Sequence, residues 1–380
     1  MKNLPLTGLT VVSLEQAVAA PFAARQLADL GARVIKIERD TGDFARGYDE
    51  KVNGLASYFV WLNRGKESVV LDLKSDHGVA SLKALVADAD VLIQNLAPGA
   101  AERMGLGADD ALALNPGLIH VSISGYGEGG DYEKKKAYDL LVQCEAGLLS
   151  VTGTEEAPAK VGVSIADIAA GMYAYTGVLT ALINRGLTGK GDVIEVSMLE
   201  ALGEWMMQPY LYAEYGGTQQ PRSGAQHATI APYGPFPASD GTVFLAIQNE
   251  REWQKFCSEV LRDPAVGTDA HYATNALRVQ HRAELHADLH RALSPLTTED
   301  VLTRLDSAGI ANARLRNMAE FSAHPQLEQR GRWMDVDTTS GPVRSLIPPV
   351  TSRNVGFRMD PVPAVGEHTA QVLAQLQETR

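Results

Sequence analysis

Short β-rich runs alternate with amphipathic stretches along the first two hundred residues. Leu9–Leu14, Val34–Ile37, Ser68–Leu71, Val91–Gln94, Ile119–Ser122 and Val193–Val196 are brief apolar runs rich in Val and Ile, the pattern of strands buried on both faces. Between them Phe22–Leu30, Gly78–Ala87 and Ala100–Met104 carry helical spacing. Strand and helix in alternation predict βαβ units, hence an α/β, Rossmann-like domain built on a mostly parallel sheet. Ligands should gather at the carboxyl ends of its strands.

From about residue 225 the texture changes. Gly241–Gln248 reads as a strand, Glu250–Val260, Asn275–Ala292 and Thr298–Ala308 as polar, periodic helices, and Ile310–Leu315 as a further strand. This pattern predicts a smaller α+β domain. The tail from about Arg332 starts strand-like and closes with a helix over Thr369–Leu376, so it is expected to return to the first domain. The Gly- and Pro-bearing stretch Tyr215–Gly224 supplies the boundary: residues 1–224, completed by 330–380, form the large domain and 225–329 the small one.

One position breaks the hydrophobic pattern. In Val161-Gly-Val-Ser-Ile-Ala-Asp167 and the apolar run that continues to Ile183, Asp167 is the only charged side chain. A carboxylate withdrawn from water costs several kcal/mol, about 2–7 even for neutral polar groups, unless donors or a cation meet it. Gly162 and Gly171 flank it and would let a backbone or ligand approach closely. A structural alternative is a helix cap, with Ser164 or Asp167 accepting backbone N–H groups at the start of the apolar helix.

Composition narrows the function. Hydrophobic residues make up 45% and charged residues 21% of 380 residues, as in ordinary globular proteins, and the length suits two domains. A net charge of −12 argues against nucleic acid or an anionic membrane as main partner. Glu15 interrupts the signal-like Leu9–Ala20, and Asp and Gly break the most apolar run, so neither a leader nor a membrane span is expected. Cys144 and Cys257 lie far apart in no ligand spacing, so a reduced cytoplasmic setting without metal or flavin is expected. Glu38 after Val-Ile-Lys-Ile looks like the acidic ribose ligand of NAD enzymes, yet the loop Glu15–Pro21 lacks every glycine of that fingerprint.

The ordered motifs carry a resemblance. Ala20-Pro21, Leu30-Gly-Ala-Arg-Val-Ile-Lys-Ile-Glu-Arg39, Gly42-Asp43, Leu71-Asp-Leu-Lys74, Asp90-Val-Leu-Ile-Gln-Asn95, Pro98-Gly99 and Arg103-Met-Gly105 stand in sequence. Ser124-Gly-Tyr-Gly127, Gly189-Lys-Gly-Asp192 and Gly366-Glu-His-Thr369 complete the set, which resembles the class III CoA-transferase family of formyl-CoA transferase and related racemases. The resemblance implies Asp167 as catalytic residue, no cofactor beyond a CoA thioester substrate, and an interlocked homodimer. It implies a CoA groove from Gln16, Ala17, Arg39, Leu71, Lys74, Asn95, Leu96, Arg103, Met104, Lys136 and Met198. Four cations in that set suit phosphates, and its apolar members suit adenine and pantetheine.

The implied chemistry is nucleophilic: an aspartyl mixed anhydride, then an aspartyl-CoA thioester, then return of CoA to an acceptor acid. The family's glycine-run lid is replaced here by Gly216-Gly217 and Arg222–His227. The related α-methylacyl-CoA racemases carry His-Asp where this chain has Tyr138-Asp139, and a tyrosine of pKa about 10 is a poor base near neutrality. Racemisation is therefore the alternative reading, and an idle CoA-binding scaffold a third. The look of Lys136–Gln143 and Arg222–Pro235 points to small C4–C5 dicarboxylates such as mesaconate, succinate, citramalate or itaconate. Tyr138, Arg46, Arg222 and His227 are the expected substrate-binding residues, with Arg64 a further cation for the second carboxylate.

Overall fold

The computed structural model describes residues 3–378. Six strands pair in parallel: β1 (Thr10–Leu14), β2 (Arg33–Glu38), β3 (Lys66–Val70), β4 (Val91–Gln94), β5 (Ile119–Ser124) and β6 (Asp192–Ser197). Their order is β3-β2-β1-β4-β5-β6, with Val11 beside both Val34 and Val91. Each expected strand is present and the α/β reading holds. The strand order reverses between β1 and β4, which opens a crevice at their carboxyl ends.

Helices on both faces explain why the central strands β1, β2 and β4 are mostly apolar and buried. Val11, Ile93 and Val121 face a core shared with helices Ala19–Asp29 and Ile165–Thr188. Val12, Ile35 and Leu92 face the other core, with Leu82 and Leu85 of helix Asp76–Ala87 and Val372 of the closing helix Thr369–Glu378. The tail is also tied to β3, where Val70 N–H donates to Thr369 Oγ1 at 2.9 Å.

Helix Ile165–Thr188 has 24 residues and a mean hydropathy of 1.3, long and apolar enough to cross a membrane. Its buried stripe, Ala166, Ala169, Ala170, Ala174, Val178 and Ala181, instead lies in the first core. It stops at Gly189, whose left-handed φ of 72° lets its N–H return to Arg185 O at 2.7 Å.

The chain divides into two compact units. The first holds the residues up to Leu148, Val161–Gln208 and those from Leu327 onward; the second holds Leu149–Lys160 and Pro209–Gln326. The expected boundary at residue 224 therefore moves to 209, and the excursion 149–160 joins the second unit. Hydrogen bonds account for the difference: Gly224 N–H donates to Gly153 O and Arg222 Nε to Thr154 O, both at 2.8 Å.

In the second unit, β7 (Tyr233–Ala238), β8 (Gly241–Ala246) and β9 (Ala311–Arg314) form an antiparallel sheet. Its core includes Phe236, Leu245, Trp253, Leu285 and Leu305. The helix expected over Asn275–Ala292 is broken at His281 into Asn275–Gln280 and Arg282–Leu293. In the first unit, β10 (Trp333–Val336) and β11 (Val343–Leu346) make a separate hairpin.

Candidate active site

Asp167 stands in the first turn of helix Ile165–Thr188, on the wall of a cleft of about 570 Å³ within the first unit. Ser164 occupies the cap position but accepts no capping hydrogen bond. Asp139 does that work from a neighbouring helix, Asp139–Glu145. Its Oδ1 accepts from Ala166 N–H at 2.8 Å and, more weakly, from Asp167 N–H at 3.4 Å. The cap reading of Ser164 or Asp167 is thus replaced by a long-range cap.

Among the described residues no donor meets the Asp167 carboxylate. Burial, and then the charge of Asp139, push its pKa up from 3.8 to about 7. A helix N-terminus would ordinarily favour the ionised form. Here the first-turn amides serve Asp139, and the loss of water outweighs the dipole. The site therefore holds a partly buried carboxyl group whose ionisation is opposed by the loss of water and by Asp139.

The opposite wall comes from the loop after β1, which is shaped by side-chain hydrogen bonds. Gln16 N–H donates to Asn95 Oδ1 and Asn95 Nδ2 to Gln16 O, each at 2.9 Å. Ala17 adopts a left-handed φ of 60°, rare for a residue with a side chain, and its N–H reaches Asp43 Oδ1 at 3.3 Å. Helix Ala19–Asp29 starts immediately after and packs tightly on the Asp167 helix. A β-carbon on Gly171 would lie 2.6 Å from Ala19 O, so this glycine permits the close approach expected of it, whereas Gly162 has open space.

A buried ion cluster supports this loop. Glu15 Oε1 lies 2.5 Å from Lys66 Nζ and 3.2 Å from Lys36 Nζ, and Lys36 also meets Asp43 at 2.8 Å, all with fully buried partners for Lys36. Burial opposes ionisation of Glu15, but the two ammoniums prevail and take it down to about 2. For Lys66 burial prevails: with one carboxylate and Lys36 repelling it, its pKa falls to about 8.

Aromatic side chains line the cleft near Asp167. Phe44, Tyr48, Tyr58 and Tyr138 all contribute, and Tyr58 Oη lies 3.2 Å from Ser164 Oγ. Partial burial and the nearby Asp43 and Asp167 raise the Tyr48 hydroxyl to about 12, which keeps it a hydrogen-bond donor. Tyr138 is 67% exposed and, among the described residues, makes no hydrogen bond to Asp167.

A second cleft of about 610 Å³ adjoins the first, the two sharing Gln16 and Leu96. Most of the expected groove residues fall on this continuous crevice. Arg39, Leu71 and Lys74 line the second cleft, while Ala17, Asn95, Lys136 and Met198 line the first. Arg103 lines a third cleft that meets the first at Leu96–Pro98. Met104 lines none of these and packs against the core beneath the sheet.

The residues expected to bind substrate fare differently. Arg46 is engaged by Glu38 at 2.8 Å and lies 3.6 Å over the Phe59 ring, and Arg64 is engaged by Asp29 at 2.7 Å. Neither is an open cation. Arg222 and His227 belong to the second unit, where Arg222 donates to Thr154 O and Glu155 O, and His227 stacks on Tyr233 at 5.1 Å. In the Asp167 cleft, Lys134 and Lys136 form no ion pair among the described residues. Sequence reasoning missed Tyr48, Tyr58 and the Asp43 bond to Ala17.

Residues 6–369 match the model of CoA-transferase family III. The chain belongs to that family. It is 34% identical to a succinate–glutarate CoA-transferase of Agrobacterium fabrum, over 98% of this chain and 96% of the relative. It is 33% identical to the human succinyl-CoA:glutarate CoA-transferase, over 99% and 87%. A CAIB/BAIF family protein from Brucella suis superposes with a TM-score of 0.88 at 33% identity, covering 99% of this chain and 100% of that one. As a family III CoA-transferase with tyrosine at position 138, the protein gives the racemase alternative no support.

Proposed function

We propose that the protein moves CoA from succinyl-CoA to a C4–C5 dicarboxylate through covalent intermediates on Asp167. The observation that carries this reading is a carboxyl group that no donor meets among the described residues, on the wall of a cleft that adjoins a second one. The donor and acceptor class follows the relatives whose names specify succinate and glutarate.

Each step conserves charge and bonds. The Asp167 carboxylate attacks the thioester carbonyl, the C–S bond breaks, and a mixed anhydride and CoA thiolate result. The thiolate attacks the Asp167 carbonyl carbon, releasing the donor acid as its carboxylate and leaving an aspartyl-CoA thioester. The acceptor carboxylate attacks that thioester, giving a new mixed anhydride and thiolate. The thiolate then attacks the acceptor's acyl carbon and frees Asp167. A nucleophile with a pKa near 7 is partly ionised at neutral pH yet pays little further desolvation when the crevice fills.

Arg39, Lys74 and Lys136 offer cations to the CoA phosphates, and Leu71, Leu96 and Met198 apolar surface. Lys134 and the Tyr48 hydroxyl are the open polar groups for a second carboxylate. We also read the protein as a homodimer of a reducing, cytoplasmic compartment. Ile183 and Leu187 are exposed apolar residues on the far end of the Asp167 helix, and both thiols are free.

The test is mass spectrometry of CoA thioesters after mixing the protein with succinyl-CoA and, separately, glutarate, mesaconate, citramalate and itaconate. One new acyl-CoA, absent with Asp167→Asn, is expected. Exchange that survives the substitution would refute the nucleophile, and no exchange with any acid would refute the donor.

A further inference from the structure

Asp139 and Gln143 sit one turn apart on helix Asp139–Glu145, and both side chains reach the segment that carries Asp167. Gln143 is fully buried; its Nε2 donates to Asp139 Oδ2 at 2.6 Å, and its Oε1 accepts from Val161 N–H at 3.1 Å. The other Asp139 oxygen takes the amides of Ala166 and Asp167. Two side chains thus hold the segment at Val161 and again at the first helical turn. The Asp139 carboxylate also occupies donors that the Asp167 carboxylate would otherwise compete for.

We propose that Asp139 and Gln143 are positioning residues: together they clamp the start of the Asp167 helix and withhold its amide donors from the Asp167 carboxylate, leaving that group turned to the cleft without hydrogen bonds. This rests on the reading of Asp167 as the nucleophile. The clamp fixes the attack geometry, and a displacement of about 1 Å at a reacting atom lowers the rate by about 100-fold. Other titratable groups on the same cleft are Tyr48 and Tyr58, Glu133 with Lys134, Lys135 and Lys136, and Tyr138; Lys135 is paired with Glu145. Asp139 is the one whose charge bears on Asp167.

Two variants separate geometry from charge. Asp139→Ala removes the clamp. The double exchange Asp139→Asn with Gln143→Glu preserves every hydrogen bond, the new amide donating to the new carboxylate, and moves the negative charge one side chain away from Asp167. The experiment combines residue-resolved amide hydrogen exchange with CoA-exchange kinetics against pH. With Asp139→Ala, exchange at Ala166 and Asp167 should quicken about tenfold, the effect of about 1.4 kcal/mol in hydrogen bonding. Its kcat should fall about 100-fold while KM for the acyl-CoA stays within about threefold. The double exchange should restore wild-type amide protection and most of kcat, and shift the acidic limb of kcat/KM to lower pH.

Unchanged protection and kcat in Asp139→Ala would overturn the proposal, as would a double exchange no better than the alanine variant. Failure of the nucleophile reading looks different: Asp167→Asn would retain CoA exchange, while amide protection would still decide whether the clamp exists.

Discussion

If Asp167 is held out of water as the geometry indicates, it weakens the fold at the pH where the enzyme works, and Asp167→Asn should reveal this. The folded-state pKa, about 7, lies above the ordinary 3.8. A group raised in this direction contributes its full stability below the unfolded value and loses it as pH rises through the folded value. Three pH units at about 1.4 kcal/mol each give a total loss of about 4 kcal/mol above pH 7. The neutral amide has no such dependence. Denaturant unfolding at fixed protein concentration should therefore show the variant gaining on the wild type by about 3 kcal/mol between pH 5 and pH 8, most of it before pH 7. A difference that stays constant over that range would mean that water or donors reach the carboxylate, and the argument for a poorly solvated nucleophile would collapse. A variant less stable than wild type at pH 8 would refute it more directly.

Two other substitutions probe the scaffold under the site. Gly171→Ala places a β-carbon 2.6 Å from Ala19 O, so despite a helix-propensity gain of about 1 kcal/mol it should cost about 1–2 kcal/mol net and reduce kcat, read by unfolding and by CoA exchange. Unchanged stability would show that the two helices can separate freely. Lys36→Met leaves buried Asp43 without its ammonium and Glu15 with Lys66 alone, so calorimetry should register a loss of about 3–5 kcal/mol; a neutral effect would deny the cluster its structural role.

The sheet was legible because its central strands β1, β2 and β4 are short Val- and Ile-rich runs buried almost throughout, and their alternation with helical stretches points to parallel pairing. The second unit was harder to read. The break at His281 leaves no gap in helical periodicity, and the boundary at 209 depends on hydrogen bonds between 149–160 and 222–224 that no local pattern encodes. Asp167 itself was visible as one charge in an apolar run. Its helix cap was not, because the partner that satisfies the helix amides is Asp139, 27 residues before Ala166.

The ion pairs of Arg46 and Arg64 were hidden for the same reason. In a sequence, an arginine near a site looks like a cation in search of an anion, and only the fold shows whether an internal carboxylate has already met it. Glu38 and Asp29 do so here. Lys36 carried a better signal, since Val-Ile-Lys-Ile-Glu places an ammonium inside an apolar strand, where its partners must also be buried. Read in that way, the polar residues inside this sheet are anchors for the loop at the crevice: Lys36 fixes Asp43, Asp43 holds Ala17 in its left-handed turn, and Asn95 holds Gln16. Within the Asp167 cleft Lys134 and Lys136 form no ion pair among the described residues; with Lys136 assigned to the CoA phosphates, we propose that specificity for the second carboxylate be sought at Lys134 rather than at Arg46.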